Sequence, residues 1–158
     1  MFTKELSPKE LSIHIDATPE TVYRLVSDVI RHPEWSQNPL AIRHVEGPLE
    51  GPGATFSSRA GRVARFAGTF KGRIRVRSAR PPEHFEYETH DDSGRYVWSF
   101  SIAREGNGCR LVHRVEKLSG PWILRVVQPP IIWPLIGSHQ VRVGLQNIKR
   151  KAEGESYH

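Results

Sequence analysis

Cysteine is nearly absent: Cys109 is the only one in 158 residues. An intramolecular disulfide is therefore excluded, and a reducing compartment is expected. Long apolar runs are missing too. The most apolar stretch, residues 121–137, is too short to span a bilayer and is broken by Arg125, Gln128, Pro129, Pro130 and Pro134. The opening "MFTKELSPKELS" is charged and has no apolar centre, so no secretory signal is expected and the protein reads as cytoplasmic. There is no internal repeat and no low-complexity tract. No glycine-rich phosphate loop, nucleophile elbow or paired-carboxylate motif occurs, and the eight histidines form no metal-ligand spacing.

What is present is an ordinary globular composition, 37% hydrophobic and 25% charged, with a net charge of +6. A chain of this length is expected to form one domain that buries roughly 68–70% of its unfolded surface. The positive charge permits attraction to nucleic acid, anionic membranes or acidic substrates without specifying any of them.

Periodicity supplies the architecture. Leu11, Ile13 and Ile15 alternate with polar residues, which predicts a strand over 11–16. Thr18 is a good N-cap, Pro19 suits the first helical position, and Val22, Leu25, Val26 and Val29 form the stripe of a short helix. A second short helix is expected from Pro33 to just before Pro39. From residue 41 to 118 the period is almost everywhere two, with strands at 41–46, 54–60, 66–79, 84–90, 95–105 and 109–118 separated by turn sequences. Trp133, Gly137, Val141, Gly144, Leu145, Ile148 and Ala152 then mark one side of a long C-terminal helix, with Gly154 as its expected C-cap. The order predicts an α+β fold in which a helix packs on one face of an antiparallel sheet.

The stretch "FKGRIRVRSAR" places Lys71, Arg73, Arg75 and Arg77 on alternate positions, hence all on the outer face. Pairing with "HFEYETH" would set these cations beside Glu86 and Glu88, so the comb reads as a solvated face with its own carboxylates. No nucleic-acid-binding motif accompanies it, and nucleic acid is not an expected partner.

The same alternation turns Ile74, Val76, Phe85, Tyr87, Thr89, Tyr96, Trp98, Phe100, Ile102, Cys109, Leu111, His113 and Val115 inward. Such a face makes either a packed core or the wall of an apolar cavity with a few polar groups. Cys109 reads as a small hydrophobe, and a lone inward His113 as either a hydrogen-bonded core residue or an acid–base group.

Several segments in fixed order resemble the START-like, helix-grip (SRPBCC) superfamily, in its bacterial polyketide cyclase/dehydrase-like and lipid-transport-like branch. They are "IDATPETVYRLVSDVIRHPEW" with Asp28, Pro33 and Trp35 at the matching places, "GPGATF", "ARPPEHFEYE", "GNGCRLVHRVE" and "GLQNIKRKAE". Cys109 departs from the Thr common at its position. The resemblance implies a seven-stranded antiparallel sheet wrapped around the C-terminal helix with an internal cavity, and it favours the cavity over the packed core. The ligand wall is then expected from Trp35, Ile74, Val76, Phe85, Tyr87, Tyr96, Trp98, Phe100, Leu111, His113, Gly137 and Val141. A small hydrophobic or aromatic, lipid- or polyketide-like molecule is the expected partner. The alternative is a cyclase/dehydratase in which His113 with Tyr87 or Tyr96 relays protons, with no metal or redox cofactor. A third reading, a lipid shuttle at the membrane surface, is the least favoured. The 121–137 segment is expected to roof the cavity rather than to form a dimer or membrane contact, and monomer and homodimer both stay open.

Overall fold

The computed structural model describes residues 9–36, 39–60, 70–91, 94–119 and 138–155. The strands are β1 (Lys9–Ile15), β2 (Pro39–Glu46), β3 (Thr55–Ala60), β4 (Phe70–Arg80), β5 (His84–Asp91), β6 (Gly94–Glu105) and β7 (Gly108–Ser119). The helices are α1 (Pro19–Ser27), a 3-10 helix (Val29–Glu34) and α2 (Ser138–Glu155). The strands form one antiparallel sheet in the order β1-β7-β6-β5-β4-β3-β2, so β1 and β2 lie at opposite edges. Each of the strands β2 to β6 pairs with the next in sequence, the usual arrangement of consecutive antiparallel strands. The chain between β1 and β2, carrying α1 and the 3-10 helix, must therefore cross from one edge of the sheet to the other. The fold is α+β, as the alternation predicts.

Helix α1 begins where capping chemistry places it, with Thr18 Oγ1 accepting from the backbone N–H of Thr21 at 3.2 Å. The expected helix after Pro33 is instead the 3-10 helix, which starts four residues earlier and holds Pro33 inside. Arg31 donates to the Asp28 carbonyl and Trp35 to that of His32, each at 3.1 Å. Pro33 falls between these donors, where its missing N–H breaks neither bond.

Three hydrogen bonds tie α2 to the N-terminal part of the chain. Lys149 Nζ donates to the His14 carbonyl at 3.0 Å, the Asp16 N–H donates to Glu153 Oε1 at 3.1 Å, and Asn147 Nδ2 donates to the Trp35 carbonyl at 2.9 Å. The buried side of α2 is Gly144, Leu145, Ile148 and Ala152, with Val141 partly buried beside them, as the three- and four-residue steps predict. Gly154 does not cap the helix: α2 continues through it to Glu155. Trp133 and Gly137 lie outside the described residues.

The core lies among α1, the 3-10 helix, α2 and the inner sheet face. Phe56, Phe85, Phe100, Ile15, Leu111 and Ile148 are its largest fully buried side chains. On β4 the expected alternation holds up to Val76, with Ile74 and Val76 buried and Lys71, Arg73, Arg75 and Arg77 exposed. A register shift between Val76 and Ser78 then changes the phase, so Arg80 is exposed although its position is even.

Candidate functional site: an aromatic inner face with an unpartnered histidine

Antiparallel register builds the inner face as cross-strand rows. One runs Phe85–Phe100–His113–Leu11 and the next Val76–Tyr87–Trp98–Val115. Residues directly opposite one another share a face, so these rows bring large rings into contact. His113 stacks on Phe100 with ring centroids 4.1 Å apart, and Trp98 lies 5.8 Å from the same imidazole. Tyr87 lies against Trp98 and Phe100 at 6.3 and 6.4 Å. From the opposite side, Trp35 meets Phe100 edge-on at 5.9 Å, and His32 sits 4.6 Å from Trp35 and 5.4 Å from Tyr87.

Most polar handles in this cluster are satisfied. Trp35 Nε1 donates to the Leu25 carbonyl at 3.3 Å and Trp98 Nε1 donates to Thr89 Oγ1 at 2.8 Å. His32 Nε2 lies 2.7 Å from the Val26 carbonyl, which fixes the proton on Nε2. His113 Nε2 is the exception. It is buried with no hydrogen-bond partner among the described residues, and the whole residue is only 5% exposed. Leaving such an atom unpaired costs about 1–3 kcal/mol.

Burial also sets the charge states. It lowers the pKa of His113 to about 3, with the nearby His32 adding to the effect. His32 falls to about 4 through burial, opposed in part by its bond to the Val26 carbonyl. Burial raises the Tyr87 phenol above its ordinary value. All three groups are neutral at neutral pH. Burial likewise raises the Cys109 thiol, helped by Glu105 and Glu20, so the buried sulfur stays protonated.

Of the expected wall residues, Trp35, Phe85, Tyr87, Trp98, Phe100 and His113 form this connected cluster. Ile74 and Val76 continue the same buried face on β4, Leu111 is fully buried on β7, and Val141 packs against the core from α2. Tyr96 stands at the margin, half-buried, 6.0 Å from Trp98 and with Lys117 Nζ 5.7 Å from its ring centroid. Gly137 and the 121–137 segment lie outside the described residues. Gly144 leaves no gap, because a Cβ there would stand 3.6 Å from the Trp35 ring.

His32 is the residue that alternation cannot find. It belongs to a buried i, i+3 series, Val29, His32 and Trp35, which is the spacing of a 3-10 helix rather than of an α-helix or strand. Among the described residues, no group of three His, Cys, Asp or Glu is arranged to hold a metal ion.

Solved structures share this architecture. TTHA0849 from Thermus thermophilus matches with a TM-score of 0.73 and 17% identity, covering 95% of this chain and 99% of that one. The di-domain ARO/CYC StfQ from the steffimycin biosynthetic pathway matches with a TM-score of 0.76 and 12% identity, covering 98% of this chain and 53% of that one. Ginseng major latex-like protein 151 from Panax ginseng matches with a TM-score of 0.69 and 10% identity, covering 92% and 97%. At these identities the likeness is one of fold. No curated protein matches by sequence. Residues 10–153 match the family described as polyketide cyclase / dehydrase and lipid transport, and the chain belongs to that family.

Proposed function

We propose that this protein binds one small, uncharged hydrophobic or aromatic molecule between the inner sheet face and α2, without transforming it. The observation that carries this reading is the unpartnered His113 Nε2 among aromatic rings. A buried polar atom without a partner is costly, and a ligand hydroxyl or carbonyl that reached it would remove the cost. Neutral His32, His113 and Tyr87 offer a charged ligand no compensating charge, so an ionised guest would be penalised.

The same groups argue against the proton-relay alternative. An efficient general base has a pKa near the working pH. His113 at about 3 is a weak base, and a phenol raised by burial is a poorer acid than tyrosine in water. The family description covers both cyclase/dehydrase and lipid-transport proteins, and the StfQ match is to an ARO/CYC protein. The charge states favour the binding role.

Native mass spectrometry of freshly purified protein tests the proposal. One apolar molecule per chain is expected, absent from a His113→Phe variant. A clean mass, together with no quenching of tryptophan fluorescence by a panel of neutral aromatic alcohols and ketones, would overturn it.

A further inference from the structure

The outer face of the sheet is unevenly balanced. On its β4–β5 side the cations meet carboxylates: Arg77 lies 3.6 Å from Glu86, and Glu88, opposite Arg75, accepts from Arg95 Nε at 2.9 Å. Glu46 stands in the same row, opposite Thr55, which is opposite Arg75. Towards the β2 edge the register builds two further rows, Arg43–Ser57–Arg73–His90 and Ala41–Arg59–Lys71. Arg43, Arg59, Lys71, Arg73 and His90 are all exposed. Among the described residues neither row contains an Asp or Glu, and none of these four Lys and Arg side chains forms an ion pair with a described carboxylate.

Strand spacing and the two-residue repeat set the four cations within a patch of about 10 Å by 7 Å at the backbone. Like charges held this close repel one another, and a partner of opposite charge relieves that repulsion. The same edge exposes apolar side chains. Val45, two residues beyond Arg43 on β2, is 50% exposed, and Leu49 in the following loop is 70% exposed. Glu50, next to Leu49 in that loop, is exposed as well.

We propose that this β2–β3–β4 corner docks the protein on an anionic phospholipid surface. Cations beside exposed apolar side chains suit a headgroup layer, which takes the charge at its phosphates and the apolar groups at the acyl boundary. The face suits nucleic acid poorly. Its two rows hold no Phe, Tyr or Trp on which bases could stack, and a broad sheet face presents no helix or ribbon to a groove. The inference is independent of what the inner face binds.

Co-flotation with vesicles tests it. The wild-type protein is expected to bind vesicles of equal parts phosphatidylcholine and phosphatidylserine and to ignore pure phosphatidylcholine. Binding should fall when salt shortens the Debye length from about 10 Å to about 3 Å. At about fivefold per cation, Arg43→Glu with Arg73→Glu should weaken binding by about 25-fold or more. Arg104→Glu with Arg142→Glu makes the same change in net charge at exposed sites elsewhere and should leave binding near wild type. Both double variants are first checked for wild-type melting. Equal losses in the two double variants, no preference for anionic vesicles, or tighter binding to an oligonucleotide than to vesicles at the same salt would each overturn the proposal.

Discussion

The His113 imidazole lies almost flat on the Phe100 ring, with centroids 4.1 Å apart and planes inclined by 14°. Register makes the contact, because Phe100 and His113 are directly opposite on β6 and β7. The stack holds the imidazole in place while its Nε2 stays unpaired, a combination that favours an apolar ring on packing grounds and a polar one only for recognition.

That asymmetry gives the first prediction. His113→Phe keeps a stacked ring and removes the buried unpaired atom, so the ligand-free protein should melt at the same temperature or higher. A gain of about 1 kcal/mol corresponds to about 2–4 °C for a domain of this size. Thermal unfolding followed by circular dichroism measures it. A fall of several degrees would mean that His113 stabilises the ligand-free fold and is not held there for binding.

The two buried histidines should make the protein sensitive to acid. An unfolded histidine takes up a proton near 6.5, whereas folded His32 and His113 resist until about 4 and about 3. Between those limits the unfolded state binds more protons, so stability falls as pH falls, by about 1.4 kcal/mol per pH unit for each histidine. Glu34, Glu105 and Glu153 are lowered by their partners Arg31, His14 and Lys149, and their contributions are lost only below the ordinary glutamate range. Half-buried His14 works the other way. Its hydrogen bonds to Glu105 and Asp16 raise it, so its contribution is complete below 6.5 and is lost as pH rises through the raised value. Urea unfolding from about pH 7 down to about pH 4.5 should show the two-histidine slope, and His113→Phe should remove about half of it. An unchanged slope in that variant would place the acid sensitivity elsewhere.

Alternation is the legible part of this sequence. It identifies the inner and outer sides of β4 up to Val76 and of β5 to β7, because a strand has a period of two and each strand here has one buried face. Val97 departs from it, being only 7% exposed on the outer side, where the register sets it between Glu88 and Glu116. Long side chains beside a valine can cover it, and no periodicity reports that. The 3-10 helix escapes for a different reason. Pro33 reads as a helix start, yet the bonds made by Arg31 and Trp35 bracket it and let the helix begin at Val29. His32 is hidden with it. Unbalanced charge on the outer face is also illegible, since it depends on which strands flank β4: β5 brings Glu86 and Glu88, whereas β3 brings Arg59.

Two glycines give the last prediction, with opposite signs. A Cβ on Gly144 would stand 3.6 and 3.7 Å from carbon atoms of the Trp35 ring, ordinary van der Waals contact, and the residue lies inside α2. Gly144→Ala should therefore stabilise by about 0.5–1 kcal/mol, the usual gain for replacing a glycine within a helix. On Gly108 a Cβ would fall 2.1 Å from the Ile15 carbonyl oxygen, so Gly108→Ala must push β1 away from β7 and should lower the melting temperature. Ligand binding separates the two further. Trp35 already fills the space beside Gly144, so an alanine there should leave binding unchanged, whereas a leucine should displace the Trp35 ring from Phe100 and weaken it. If Gly144→Ala lowered the melting temperature or abolished binding, the helix would have to sit closer to the sheet than the Trp35 contact allows, and the aromatic cluster would be closed to any guest.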